Sequence, residues 1–269
     1  MQYAPLGLLA ACFLTACGDS DGDRGKVIVN FNHTVGGADL MHEDIHYTNA
    51  AGNEYGITRL EYIVSDIAIG TKVGKRVDLA EFHYRNGFAG ATRSIEAKIP
   101  GGEYTALHFT FGIDGDKNGT GALPSVDHFN NMAWPTPMGG GYHYMRMEGF
   151  FHTVDGEGAF LTHTGPSGGA DFSFDITLPI SLSVDGGEWE INVVMDLNEW
   201  YDAPFVYDFN DRGGIMGNAD AQLTLQDNGA TVFSLGHVGH HDHATGHEHR
   251  GKEVHQDGEE QNHDEHVGG

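Results

Sequence analysis

Apolar side chains in this chain recur at every second position. Leu107, Phe109 and Phe111 do so, as do Phe172, Phe174, Ile176 and Leu178, and again Trp189, Ile191, Val193 and Met195. Period two marks a strand with one face in a core, whereas a helix repeats near every 3.6 residues. No comparable helical period runs for ten residues or more. The 40 glycines among 269 residues oppose long helices further, since each interior glycine costs about 1 kcal/mol. Residues 26–31, 60–69, 95–99, 142–151 and 232–235 extend the series of expected strands. Leu60, Tyr62 and Val64 share one parity, and Ile67 and Ile69 the other. The switch at Ser65-Asp66 predicts a β-bulge. Pro100-Gly101-Gly102, between two alternating runs, predicts a hairpin. A short helix or 3₁₀ turn is expected over residues 196–201. The fold class that follows is all-β: a single antiparallel β-sandwich or barrel-like domain over residues 26–236, with long loops.

The two ends read differently. Residues 5–16 form an apolar run too short to cross a bilayer, which marks residues 1–16 as a signal peptide. Leu14-Thr15-Ala16-Cys17 resembles a bacterial lipobox, with cleavage before Cys17 and lipidation of its thiol. Residues 17–25 are then a polar tether. Cys12 and Cys17 are the chain's two cysteines, so cleavage leaves one and no intrachain disulfide can form. Gly18 after the lipidated position points to the outer membrane. At the other end, residues 237–269 are nearly devoid of apolar side chains and rich in histidine. A segment of that composition cannot offset its ordering entropy and is expected to be disordered. His240, His241, His243, His247 and His249 are spaced to offer imidazoles to Cu²⁺, Zn²⁺ or Ni²⁺, as weak and plural contacts.

Charge removes two classes of partner. With 39 acidic and 14 basic residues the formal net charge is −25, the opposite of the basic footprint that nucleic acid or anionic lipid requires. The chain carries no G-x-S-x-G, Cys/His dyad, P-loop or dinucleotide fingerprint, so nucleophilic catalysis has no visible candidate. Asp114, Asp116 and Asn118, followed by Gly119, open like a calcium loop. The twelfth position is Ser125 rather than a bidentate Glu, and the flanks read as strands, so an EF-hand is rejected and a Ca²⁺ ion on a β-loop remains a candidate. His143, Met145 and Met147 share one strand parity, a mixture of imidazole and thioether that suits Cu(I).

Several segments, taken in order, resemble the MbnP-like copper-binding family, which includes secreted copper proteins of methane-oxidising bacteria. They are Ile57-Thr58-Arg59-Leu60-Glu61-Tyr62-Ile63-Val64-Ser65-Asp66, Ile99-Pro100-Gly101-Gly102-Glu103-Tyr104, Phe109-Thr110-Phe111-Gly112-Ile113-Asp114 and Met132-Ala133-Trp134-Pro135. Gly139-Gly140-Gly141-Tyr142-His143, Glu148-Gly149, Met195-Asp196-Leu197-Asn198-Glu199-Trp200-Tyr201 and Ile215-Met216-Gly217-Asn218 follow. The resemblance implies an all-β periplasmic or surface protein that binds copper. It further implies a tryptophan oxidised to kynurenine by a MauG-like di-haem enzyme, its new amine joining two histidines. Trp134 occupies the matching motif. Unmodified indole has an N–H donor and no lone pair for a metal, so modification is a requirement for direct ligation. The Trp-x-His pair of some relatives is absent, because position 136 is Thr136. The candidate partners are His143, the nearest downstream imidazole, with His33, His152 and His163. Strand parity allows at most one of His143 and His152 to join.

The leading expectation is a lipid-anchored copper protein for acquisition, storage or delivery, with no catalysis of its own. Two other classes compete with it: a calcium-stabilised structural or adhesive sandwich with an incidental metal-binding tail, and a glycoside hydrolase using paired carboxylates.

Overall fold

The computed structural model describes residues 24–42, 45–211 and 214–241. Cys17, the signal peptide, and His243, His247 and His249 lie outside the described residues. In chain order the strands are β1 (Gly25–Val35), β2 (Ala38–Asp39), β3 (Tyr47–Thr48), β4 (Glu54–Gly70), β5 (Arg76–Asn86), β6 (Ser94–Ile99) and β7 (Gly102–Phe111). After helix α1 (Asp127–Asn131) come β8 (Met145–Thr153), β9 (Gly156–Thr164), β10 (Phe174–Val184) and β11 (Glu188–Asp196). Helix α2 (Ala219–Asn228) and β12 (Phe233–His240) close the chain.

Two sheets result. One runs β12-β11-β1-β2 with β6 also on β1, and β1 pairs β11 in parallel. The other runs β10-β7-β4-β8-β9, with β3 and β5 also on β4. Their inward alternating side chains meet in one core, where Phe31 meets Phe109 edge-on at 5.7 Å and Phe109 meets Phe233 at 5.1 Å. The all-β sandwich expected from period two is therefore the architecture. The bulge is present as well: Asp66 has φ +52°, the pairing of β4 with β7 shifts register between Ser65 and Ala68, and its pairing with β5 shifts just beyond, between Ile67 and Ala68. Glu199–Tyr201 forms the expected 3₁₀ turn.

Three expectations change. Residues 94–99 and 102–111 are not a hairpin: β6 joins β1 in one sheet, whereas β7 joins β10 and β4 in the other. Pro100-Gly101-Gly102 carries the chain between layers, a turn that looks the same in sequence as one within a layer. Helix α2 has no apolar period to reveal it, because two of its buried positions are Gln222 and Asn228. The last strand runs to His240, past the 236 boundary. Val238 pairs Ile191, and His240 pairs and stacks on Trp189 with ring centroids 3.8 Å apart. Among the described residues no helix is long and apolar enough to cross a membrane.

Candidate metal centre

Strand β8 pairs β9 so that Arg146 faces His163, and His143 lies just before β8. Ahead of it, an isolated bridge of Ala133 with Tyr142 and a Trp134 N–H bond to Gly141 O, 2.8 Å, fold the Trp134 segment back over His143. Trp134 and His143 meet edge-to-face at 4.7 Å, and His143 and His163 do so at 5.3 Å. Gly165 permits this closeness, since a Cβ there would lie 2.6 Å from the indole ring.

Hydrogen bonds define the protons on both imidazoles. His143 Nδ1 lies 3.0 Å from Met132 O, a carbonyl that can only accept, so the proton sits on Nδ1 and Nε2 carries the lone pair. That Nε2 is buried without a partner, and so is Trp134 Nε1. An unpaired buried polar atom costs about 1–3 kcal/mol, and here two of them lie in adjoining rings. Burial lowers the His143 pKa to about 4. His163 Nε2 lies 2.8 Å from Glu148 Oε1. Burial lowers the His163 pKa too, against the opposing pull of Glu148. Burial works to raise the Glu148 carboxyl, but hydrogen bonds from Arg59 at 2.8 Å and from His163 outweigh it, and its pKa is lowered. The result near pH 7 is a neutral imidazole donating to an ionised carboxylate. On its other side, His163 Nδ1 lies 3.4 Å from Met216 Sδ.

The remaining candidates go elsewhere. His33 bonds Tyr62 Oη at 3.0 Å, and burial lowers its pKa to about 3. His152 is exposed and pairs with Glu54 at 2.9 Å. His143 thus joins Trp134 and His152 does not. In the acidic loop, Asp114 Oδ1 accepts from Asp116 N, and Asn118 Oδ1 accepts from Tyr142 N at 2.8 Å, so these groups close a turn and strap it to the His143 segment. His241 pairs with Glu190 at 3.0 Å, beside the stacked His240. Among the described residues no group of three or more His, Cys, Asp or Glu side chains is placed to hold a metal ion. What the centre offers is two neutral imidazoles and a thioether, with an indole alongside that has no lone pair to give. Imidazole and thioether together suit a soft cation and not a hard one. The sequence alone did not single out Met216 and Glu148 as site residues, although both lie in segments that carry the family resemblance.

Sandwich topology and this buried histidine–tryptophan centre define an all-β protein whose polar site is built on one edge of the larger sheet. Residues 24–217 match the MbnP family model, and the chain belongs to that family. Among solved structures, MbnP from Methylosinus trichosporium is similar, with a TM-score of 0.56 and 13% identity over 79% of this chain and 98% of that one. At that identity the likeness is one of fold. No curated protein matches the chain significantly.

Proposed function

We propose that this chain is a copper-binding protein of the cell envelope, which holds one soft copper ion between His143 and His163 beside Trp134, for acquisition, storage or delivery. The observation that carries this reading is the buried, unpartnered Nε2 of His143, a lone pair fixed by the Met132 bond and turned to no proton donor. The His163 ring lies alongside, its centroid 5.3 Å from that of His143. Trp134 enters the ligand set only after oxidative opening of its indole to kynurenine, with a MauG-like di-haem enzyme as partner. The unpaired Nε1 of Trp134 and its contact with His143 support a role beyond packing. Lipidation at Cys17 would hold the protein on a membrane, the outer one by the Gly18 argument. The tail histidines would collect weaker ions near the folded centre.

The test is competition of the full chain against a chromophoric Cu(I) chelator under anaerobic conditions. One tight ion per wild-type chain, lost in His143→Gln, is expected. Tight binding that His143→Gln leaves unchanged overturns the reading. Peptide mapping of protein from the native host addresses Trp134: a mass gain equal to one oxygen added and one carbon removed reports kynurenine, and an unchanged mass restricts the centre to unmodified side chains.

A further inference from the structure

We propose that the Met216 thioether is itself a ligand of the soft ion, and that Glu148 directs His163 to bind that ion through Nδ1. This inference rests on the copper reading above and adds to it a sulfur donor and a choice of nitrogen. It begins with a contact between two lone pairs. Glu148 Oε1 accepts from His163 Nε2 at 2.8 Å, which leaves the lone pair of the neutral ring on Nδ1. That nitrogen faces Met216 Sδ at 3.4 Å. A thioether sulfur also carries only lone pairs, so two acceptors confront each other with no proton between them. A hydrogen bond there would need a proton on each ring nitrogen. The ring would then be a cation beside Arg146 and Arg59, both bound to the same Glu148. A soft monovalent cation between nitrogen and sulfur satisfies both lone pairs at once, and thioether sulfur selects such an ion over a hard divalent one.

The confrontation is built, not incidental. Gln222, 1% exposed on α2, donates from Nε2 to His163 O at 2.9 Å and to Ile215 O at 3.3 Å, and its Oε1 accepts from Gly165 N at 3.1 Å. One buried amide therefore clamps the backbone of His163 to the backbone before Met216. Ile215 anchors the loop in the core at 1% exposure, Gly217 turns it at φ +81°, and Asn218 caps α2 by accepting from Ala221 N at 3.1 Å. His143 is fixed in the opposite tautomer, with its lone pair on Nε2. The resulting donor set is Nε2 of one histidine, Nδ1 of another and a thioether, none with a formal negative charge. Neutral soft ligands of this kind favour Cu(I) or Ag(I) over Zn²⁺.

The experiment uses the full chain with Cu(I) and with Ag(I). X-ray absorption at the copper edge is expected to show a sulfur neighbour beside nitrogen neighbours in the wild type. Met216→Leu, of similar shape and half-exposed, is expected to lose that sulfur and to weaken Cu(I) binding by about tenfold or more. Two-bond ¹H–¹⁵N correlation spectra of the wild type with Ag(I) read the nitrogens without any variant: His163 metallated at Nδ1 and His143 at Nε2. A nitrogen-only copper environment, an unaltered affinity in Met216→Leu, or His163 metallated at Nε2 overturns this inference and leaves the two-histidine centre intact. Failure of the wild type to bind Cu(I) overturns the copper reading and this inference together.

Discussion

His143 is 6% exposed with its proton on Nδ1, and burial lowers its pKa from 6.5 to about 4. In the unfolded chain the same ring titrates near 6.5. Between those values the unfolded state binds more protons than the folded one, so stability rises with pH across the window and is lost as pH falls through it. From pH 7 to pH 5, one such histidine accounts for about 2 kcal/mol of lost stability. Urea unfolding of the metal-free chain should therefore show a larger drop over that range in the wild type than in His143→Gln, by about that amount; parallel pH profiles would mean that His143 is not buried neutral. His33, lowered to about 3, adds a similar contribution in both proteins and cancels in the comparison. At this scale the centre was partly legible. Trp134 and His143 stood out because both lie in matched motifs, and His163 was among the candidates. Parity set His143 against His152 but could not say which of them joins, and it said nothing of His33, because what decides is the neighbour each ring meets across strands. Tyr62 on β4 takes His33 and Glu54 takes His152.

Strand β12 shows how composition and pairing can disagree. Residues 237–240 carry two histidines and two small or β-branched residues, which looks like the start of a solvated tail. Pairing with β11 overrides that, because the edge of β11 presents backbone groups that need partners. Trp189↔His240, Glu190↔Gly239 and Ile191↔Val238 fill them, and the His240 ring covers Trp189. A chain ending at Gly236 should therefore melt below one ending at His241, with tryptophan emission shifted to the red as Trp189 loses its cover. Equal melting temperatures would mean that residues 237–241 add nothing to the sheet. Period two made the better-alternating strands readable, β10 and β11 above all. It missed β5, whose side chains are mostly half-buried, and β9, which begins with glycine and exposed residues. It also misplaced the connection after β6, since alternation within a strand carries no information on which sheet the next strand joins. Helix α2 stayed hidden for a different reason. Its Gln222 and Asn228 are buried for hydrogen bonding: Asn228 donates to Trp200 O and Phe205 O, and Gln222 serves the His163 and Ile215 backbones.

Across the whole molecule, the centre is wired into the fold and not hung on its surface. β4 is the hub of the seven-stranded sheet, β8 pairs it from Tyr55↔Phe151 to Tyr62↔Met145, and β9 pairs β8 along its full length. The Met216 loop is tied to β9 through Gln222, and α2 reaches the 3₁₀ turn at Glu199–Tyr201 through Asn228. An ion held at His143, His163 and Met216 would therefore bridge three segments that the fold already ties together. Binding of that kind stabilises the folded state by mass action, about 2.7 kcal/mol when free ion is a hundredfold above its dissociation constant. For a domain of this size that is a rise of several degrees in melting temperature, at about 2–4 °C per kcal/mol. The rise should appear with Ag(I) or Cu(I) in a chain ending at His241 and vanish in its His143→Gln variant. An ion held only by the histidines after His241 would produce no rise in the shortened chain, and one held by a surface pair such as His152 and Glu54 would give the same rise with or without His143. The net charge of −25 draws any cation toward the surface, so added salt should slow loading. Once the ion is buried, salt should leave the size of the melting shift nearly unchanged, because screening acts on exposed charges far more than on buried ones. A shift that collapses in high salt would place the ion on the acidic exterior instead of between the two imidazoles.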